Sequence, residues 1–168
     1  MAEAKPPFEE LYRAYFRRIY AFLRSQLGSA EEAEDVTSQV FLKAYEAYGR
    51  YQPRHDTPTA WLFQIARNAA LDQLRGRGRR QRLDRAVAQE PEPTADPSTL
   101  AADRIGWEQL LEAVAQLPER QREVIGLRHA GLSFAEVGGH LGCSEDAAKM
   151  LYHRTLRALR QRLAPSAG

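Results

Sequence analysis

Ser133-Phe134-Ala135-Glu136-Val137-Gly138-Gly139-His140-Leu141-Gly142-Cys143-Ser144-Glu145-Asp146-Ala147-Ala148-Lys149-Met150-Leu151-Tyr152-His153-Arg154 is the stretch that decides the fold. Ser133 with Glu136 three residues on is a capping box, and it opens a short helix. Phe134, Val137 and Leu141 line the apolar face of that helix. Gly142 ends it, as Gly does after a helix. Ser144 then caps a second helix. Glu145 and Asp146 occupy its first turn, where the helix dipole favours negative charge. Two such helices around a short Gly-containing turn form a helix-turn-helix, the geometry that offers a recognition helix to the DNA major groove.

The second helix carries two faces. Ala148, Tyr152, Thr155 and Leu159 fall at helical spacing and face a core. Lys149, His153, Arg154, Arg157 and Arg160 fall on other sides. Lys and Arg there can neutralise phosphates or read guanine edges. A solvated basic face on an ordinary three-helix bundle fits the same residues, and the motif alone does not separate the two readings.

Working outward, the chain of 168 residues holds one ordinary domain or two small ones. Its net charge is only +2, so the distribution of charge says more than the average. Arg67, Arg75, Arg77, Arg79, Arg80, Arg82 and Arg85 stand against Asp72 and Asp84, whereas Glu31, Glu32, Glu34 and Asp35 form an acidic run. This unevenness suggests a nucleic-acid face and a separate protein-binding face. The single cysteine, Cys143, excludes an intramolecular disulfide and a cysteine-cluster metal site. His55, His129, His140 and His153 show no metal-ligand spacing, and no cofactor is expected. No apolar run approaches membrane-spanning length and no signal-peptide core is visible, so a cytoplasmic protein without membrane insertion is expected.

Strand signals are nearly absent, and the periodicity predicts an all-α chain. A first helix runs from Phe8 through Leu11, Tyr15, Ile19 and Leu23 to Gly28. Ser29 with Glu32 is a second capping box, opening a helix through Val36, Val40, Phe41, Ala44 and Tyr48. Gly49 to Thr57 reads as a loop. Thr57-Pro58 is an N-cap followed by Pro at the first helical position. The helix it opens runs through Trp61, Ile65 and Leu74 and is expected to dissolve into Gly76-Arg77-Gly78-Arg79-Arg80. Residues 81–99 include Pro91, Pro93 and Pro97 and read as a flexible linker. The organisation is two small helical modules on a tether, 1–80 and 100–168, the second a helix-turn-helix domain.

In this order the two modules resemble the extracytoplasmic-function (ECF) sigma factors of bacterial RNA polymerase. In the first module the resemblance rests on Ala33-Glu34-Asp35-Val36 with Val40-Phe41-Leu42-Lys43-Ala44. It rests equally on Ala60-Trp61-Leu62-Phe63-Gln64-Ile65-Ala66-Arg67-Asn68, followed by Asp72 and Arg75. In the second it rests on Leu117-Pro118-Glu119-Arg120-Gln121-Arg122-Glu123-Val124 and the helix-turn-helix ending His153-Arg154.

The resemblance implies a transcription initiation factor, not an enzyme. Its partners would be core RNA polymerase, promoter DNA and an anti-sigma factor. The polymerase clamp would meet Asp35 and Gln39, one turn apart, with Ser38 beside them. The family usually has Gln and Glu at positions 38 and 39. The −10 element would meet Tyr51 and His55 in the loop, Asn68 as a base-edge contact with Asp72 beside it, and Arg75, Arg77, Arg79 and Arg80 on phosphates. Trp61 reads as packing. The −35 element would meet Ser144, Lys149, Met150, His153, Arg154 and Arg157. The family often has Thr-Val-Lys-Ser-Arg across positions 147–151. Leu151 here removes one DNA contact, and Ala147 or Met150 can touch thymine methyls instead. Gly138 and Gly139 inside the first helix of the motif are a further departure. Gly138 is expected to permit close packing.

A stand-alone helix-turn-helix regulator accounts for the second module but not for the acidic helix or the Trp61–Asn68 pattern. A purely helical interaction protein would leave the Arg clusters as solvated surface. No nucleophile, base and orienter stand together, and no phosphate-cradling loop is present.

Overall fold

The computed structural model describes residues 5–54, 56–84 and 102–163. The linker expected at 81–99 lies largely outside the described residues, as does His55. The elements are α1 (Phe8–Leu27), α2 (Ala30–Ala47), a 3₁₀ turn (Tyr48–Arg50), α3 (Pro58–Asp84), α4 (Ala102–Ala115), α5 (Glu119–His129), α6 (Phe134–Leu141) and α7 (Glu145–Leu163). The described residues contain no strand.

The helix ends follow the sequence signals. Gly28 takes the left-handed conformation at φ +73° and donates to the Arg24 carbonyl, closing α1. The Ser29 hydroxyl accepts from the Glu32 amide at the start of α2. The box is only half formed, because the Glu32 carboxylate turns instead to Arg77 and Gln73 of α3. Ser133 and Glu136 complete theirs in both directions. Ser144 caps α7 through the Ala147 amide at 3.0 Å, and Thr57 caps α3 through the Ala60 amide at 3.1 Å.

One expectation fails. α3 does not dissolve at Gly76 but continues to Asp84. Arg77 supplies the physical reason. Its guanidinium donates to the Leu27 carbonyl at 2.9 Å and to the Glu32 carboxylate, pinning this turn of α3 to the junction of α1 and α2. The tertiary bonds offset the roughly 1 kcal/mol that a mid-helix Gly costs relative to Ala.

The core is continuous between modules. Ile19, Phe22 and Leu23 of α1 meet Val36 and Val40 of α2 and Leu62, Phe63 and Ala66 of α3. The same buried cluster runs into Val124 and Leu127 of α5, Val137 of α6 and Ala148 and Leu159 of α7. α1 packs against α2, α3, α4 and α5. Polar bonds stitch the boundary. Gln26 donates to the Arg122 carbonyl and accepts from the Arg122 guanidinium, both at 3.0 Å. Arg18 donates to the Ala130 carbonyl at 2.8 Å. Arg67 pairs with Glu123 and donates to the His140 carbonyl at 2.7 Å. Gly126 makes this contact possible: a Cβ there would lie 2.3 Å from Gln26 Nε2 and 2.7 Å from Ser25 Oγ.

Candidate nucleic-acid interface

Three helix faces carry the residues singled out in the sequence, and each face is built by the same rule. The apolar positions of a helix turn inward, so the polar positions between them form a stripe.

On α2, Ala33, Val36, Val40 and Ala44 are buried, which leaves Asp35, Ser38 and Gln39 exposed together. Leu42 and Tyr45 continue the same side and are 60% and 64% exposed. Together they place two large apolar side chains in water on the same side as the polar residues. Sequence reading missed these two because Leu and Tyr at helical spacing look like core. The signal available was their offset from the Val36–Val40–Ala44 row. Phe41 is buried among Tyr12 and Phe16, as core.

On α3, burial of Leu62, Phe63, Ala66, Ala69 and Ala70 exposes Gln64, Asn68, Asp72, Arg75 and Arg79 along one line, with Arg80 also exposed. Gln64 donates to Asn68 Oδ1 at 3.1 Å and so orients that amide. Gln64 was not singled out from sequence. Asp72 and Arg75 lie 3.8 Å apart and are both exposed, an ion pair too solvated to hold either side chain away from a ligand. Arg77 stands apart from this line, held by Leu27 and Glu32. Burial first, then the guanidiniums of Arg80 and Arg122, lower its pKa from the ordinary arginine value.

The loop before α3 is organised by stacked rings. Tyr51 is 6% exposed, its ring packed against Trp61 at 4.4 Å and Tyr48 at 5.9 Å, with those two rings 6.1 Å from one another. Its hydroxyl donates to the Asp56 carbonyl at 2.8 Å. At that exposure the Tyr51 ring offers little surface to a base, and its place is in shaping the loop. Gln52, Arg54 and Asp56 are exposed beside it. Trp61 packs in this stack, as its spacing suggests.

On α7, Ala148, Thr155 and Leu159 are buried. Lys149, Met150, His153, Arg154 and Arg157 are exposed, and Ser144 sits exposed at the cap. The first turns are thus open to solvent, and the basic residues run from Lys149 to Arg157. Phe134 braces this end, with Tyr152 at 5.4 Å, the Arg128 guanidinium at 4.4 Å and the Lys149 ammonium at 5.8 Å from its ring. Gly138 is required where α6 meets the turn, since a Cβ there would lie 2.5 Å from the Cys143 carbonyl oxygen. Nothing within 4 Å accounts for Gly139. Cys143 is a half-buried free thiol in that turn.

The described residues include no helix long and apolar enough to cross a membrane.

Known proteins carry the same parts in the same order. The Sigma-70 region 2 family matches residues 11–80, and the Sigma-70 region 4 family matches residues 107–159. The chain is 35% identical to the RNA polymerase sigma factor CarQ of Myxococcus xanthus, over 95% of this chain and 91% of CarQ. It is 32% identical to the ECF RNA polymerase sigma factor SigE of Mycolicibacterium smegmatis, over 96% of this chain but 63% of SigE. The fold is also that of the sigma factor RpoE from Bartonella quintana, solved with the anti-sigma factor NepR. That likeness has a TM-score of 0.71 at 24% identity, and covers 94% of this chain and 98% of RpoE. With both regions matched and a relative aligned over nearly its whole length, the chain belongs to the extracytoplasmic-function sigma factors of RNA polymerase.

Proposed function

We propose that this chain binds core RNA polymerase and directs it to promoters by reading a −10 and a −35 element. The single observation that carries the reading is the presence of three separate exposed faces on one chain. One is acidic and apolar on α2, one runs from amide to arginine on α3, and one is basic on α7. A stand-alone regulator needs only the third.

Asp35, Ser38, Gln39, Leu42 and Tyr45 would meet the polymerase clamp. Gln64 and Asn68 would contact base edges, with Arg75, Arg79 and Arg80 on phosphates and Asp72 between them. The loop with Gln52, Arg54 and Asp56 would receive an unstacked base. On α7, Ser144, Lys149 and Met150 would approach −35 bases, while His153, Arg154 and Arg157 follow the backbone. Residues 1–80 would thus serve clamp and −10 element, and residues 100–168 the −35 element. The polymerase performs the chemistry in the cytoplasm, and this chain supplies selection and opening. An anti-sigma factor is a fitting regulator, because RpoE was solved with one and shares this fold.

Run-off transcription with core polymerase on a pool of promoter fragments tests the reading. Start sites that appear only with this chain and share motifs near −10 and −35 are the expected result. Duplex binding without core binding would instead indicate a stand-alone regulator.

A further inference from the structure

We propose that Lys5 is a positioning residue for promoter opening, acting as a strap that holds the loop before α3 in its base-receiving shape. The inference rests on the reading of residues 49–57 as part of the −10 interface.

The Lys5 ammonium donates to the Tyr48 carbonyl and, at 3.2 Å, to the Tyr51 carbonyl. It also lies 4.3 Å from the centre of the Tyr48 ring. These carbonyls belong to the 3₁₀ turn that ends the α2 segment and to the residue after it. The Tyr48 carbonyl already accepts from the Tyr51 amide at 3.2 Å and has a second lone pair to offer, and carbonyls at such an end carry the negative end of the dipole, so a cation is favoured there. The aromatic face beneath it adds attraction of the same sign. The bond is returned, since the Tyr48 hydroxyl donates to the Pro6 carbonyl. Pro6 and Pro7 restrict the strap backbone, so less freedom is lost in holding it.

The connection continues into the loop. Tyr48 stacks on Tyr51, Tyr51 stacks on Trp61, and the Tyr51 hydroxyl holds the Asp56 carbonyl. Tyr51 therefore ties the two ends of the loop, and Lys5 fixes the residue that opens it. At the far side Tyr15 and Thr59 share a hydrogen bond of 2.6 Å, which anchors the first turn of α3 to α1. The helices do not depend on Lys5. Phe8 still packs edge-on against Tyr45 and Tyr48, and the buried core lies elsewhere. Loss of the ammonium should loosen the loop and leave the module folded. A loose loop must be ordered at the moment a base is captured, and that cost falls on opening alone.

The test uses the full chain with Lys5→Met, which keeps the stem and removes the charge, and Lys5→Arg, which keeps the charge. Run-off transcription is compared on a duplex promoter and on the same promoter pre-opened by mismatches around −10. Lys5→Met is expected to lower duplex transcription roughly three- to tenfold. The pre-opened template and core affinity should be nearly unchanged, and Lys5→Arg should restore most of the loss. Full duplex activity in Lys5→Met, or equal losses on both templates, would overturn the proposal. Amide exchange gives a reading independent of transcription. Lys5→Met should speed exchange at residues 50–56 and not in α1 or α3, and unchanged exchange in the loop removes the strap. Failure of the wild-type chain to direct any transcription, with loop exchange responding to Lys5→Met, would overturn the −10 reading and the opening role together and leave the strap a purely structural contact.

Discussion

The guanidinium of Arg67 on α3 pairs with the carboxylate of Glu123 on α5, across the boundary between the two modules. Both side chains are largely shielded, at 14% and 7% exposure. The same guanidinium reaches the His140 carbonyl at 2.7 Å. One arginine, adjacent in sequence to Asn68 of the proposed −10 stripe, thus holds α5 and α6 against the first module.

Glu123→Ala leaves Arg67 shielded without its anion. Breaking a buried pair in this way costs about 3 kcal/mol, the lower end of the usual range because the His140 carbonyl remains as acceptor. The expected outcome is separation of the modules with helicity retained, seen as a larger radius of gyration in small-angle scattering. Compact chains of this length have a radius near 15 Å. Promoter elements on the order of 20 base pairs apart lie roughly 70 Å from each other. On the proposed −10 and −35 reading the closed arrangement is too short to hold both, so this variant is expected to bind core and promoter at least as well as the wild type.

Two glycines give opposite outcomes. Gly126→Ala drives a Cβ into Gln26 and Ser25 at 2.3 and 2.7 Å, and should destabilise the closed form by about 1–3 kcal/mol. Gly139→Ala meets nothing within 4 Å in the interior of α6, and should stabilise by about 0.4–1 kcal/mol. Paired thermal melts check both.

His140 makes the closed form sensitive to acid. Burial first, and then Arg67, lower the imidazole pKa from its ordinary 6.5, while Glu136 and Asp56 pull the other way more weakly. Its Nε2 is buried without a partner among the described residues. The folded pKa lies below the unfolded one, so the unfolded chain takes the proton first. Stability is full above about pH 6.5 and is lost as pH falls through the folded value. Melting temperature should therefore fall as pH drops below about 6.5, and fall less in His140→Gln.

Asp35→Arg and Leu42→Asp should each weaken core polymerase binding about tenfold or more, since central contacts on a docking face carry most of its energy. Both positions are exposed, so melting should be little changed. Co-purification with core, beside a thermal melt, measures the two effects. Unaltered binding in both variants would remove α2 as the docking face.

Arg154→Ala should reduce promoter affinity and lower the salt slope of binding by about one unit, as expected for one lost phosphate contact. Met150→Ala should change preference among −35 sequences more than it changes that slope, because an apolar side chain in the groove meets thymine methyls. Titrations of the core complex at several salt concentrations separate these behaviours.

Local chemistry along the chain suffices for the start of each helix, most of the caps and the stripes. Ser133 with Glu136, Thr57 with Pro58, and Gly142 act through bonds that close within a few residues, so their neighbours along the chain suffice to place them. The exposed lines on α3 and α7 follow from the 3.6-residue period alone. What distant residues do to one another follows only from their meeting in the fold. Arg77 looks like another arginine in a basic run, yet it pins α3 to Leu27 and Glu32 and carries that helix past Gly76 and Gly78. Tyr51 looks like a loop aromatic free to stack on a base, yet packing against Trp61 and Tyr48 leaves it buried. Arg67 and Glu123 stand 56 residues apart, and neither carries a local mark of its partner. Periodicity records which side of a helix turns inward, but not which helix will meet it there, and that meeting fixes where each buried charge finds its counter-charge.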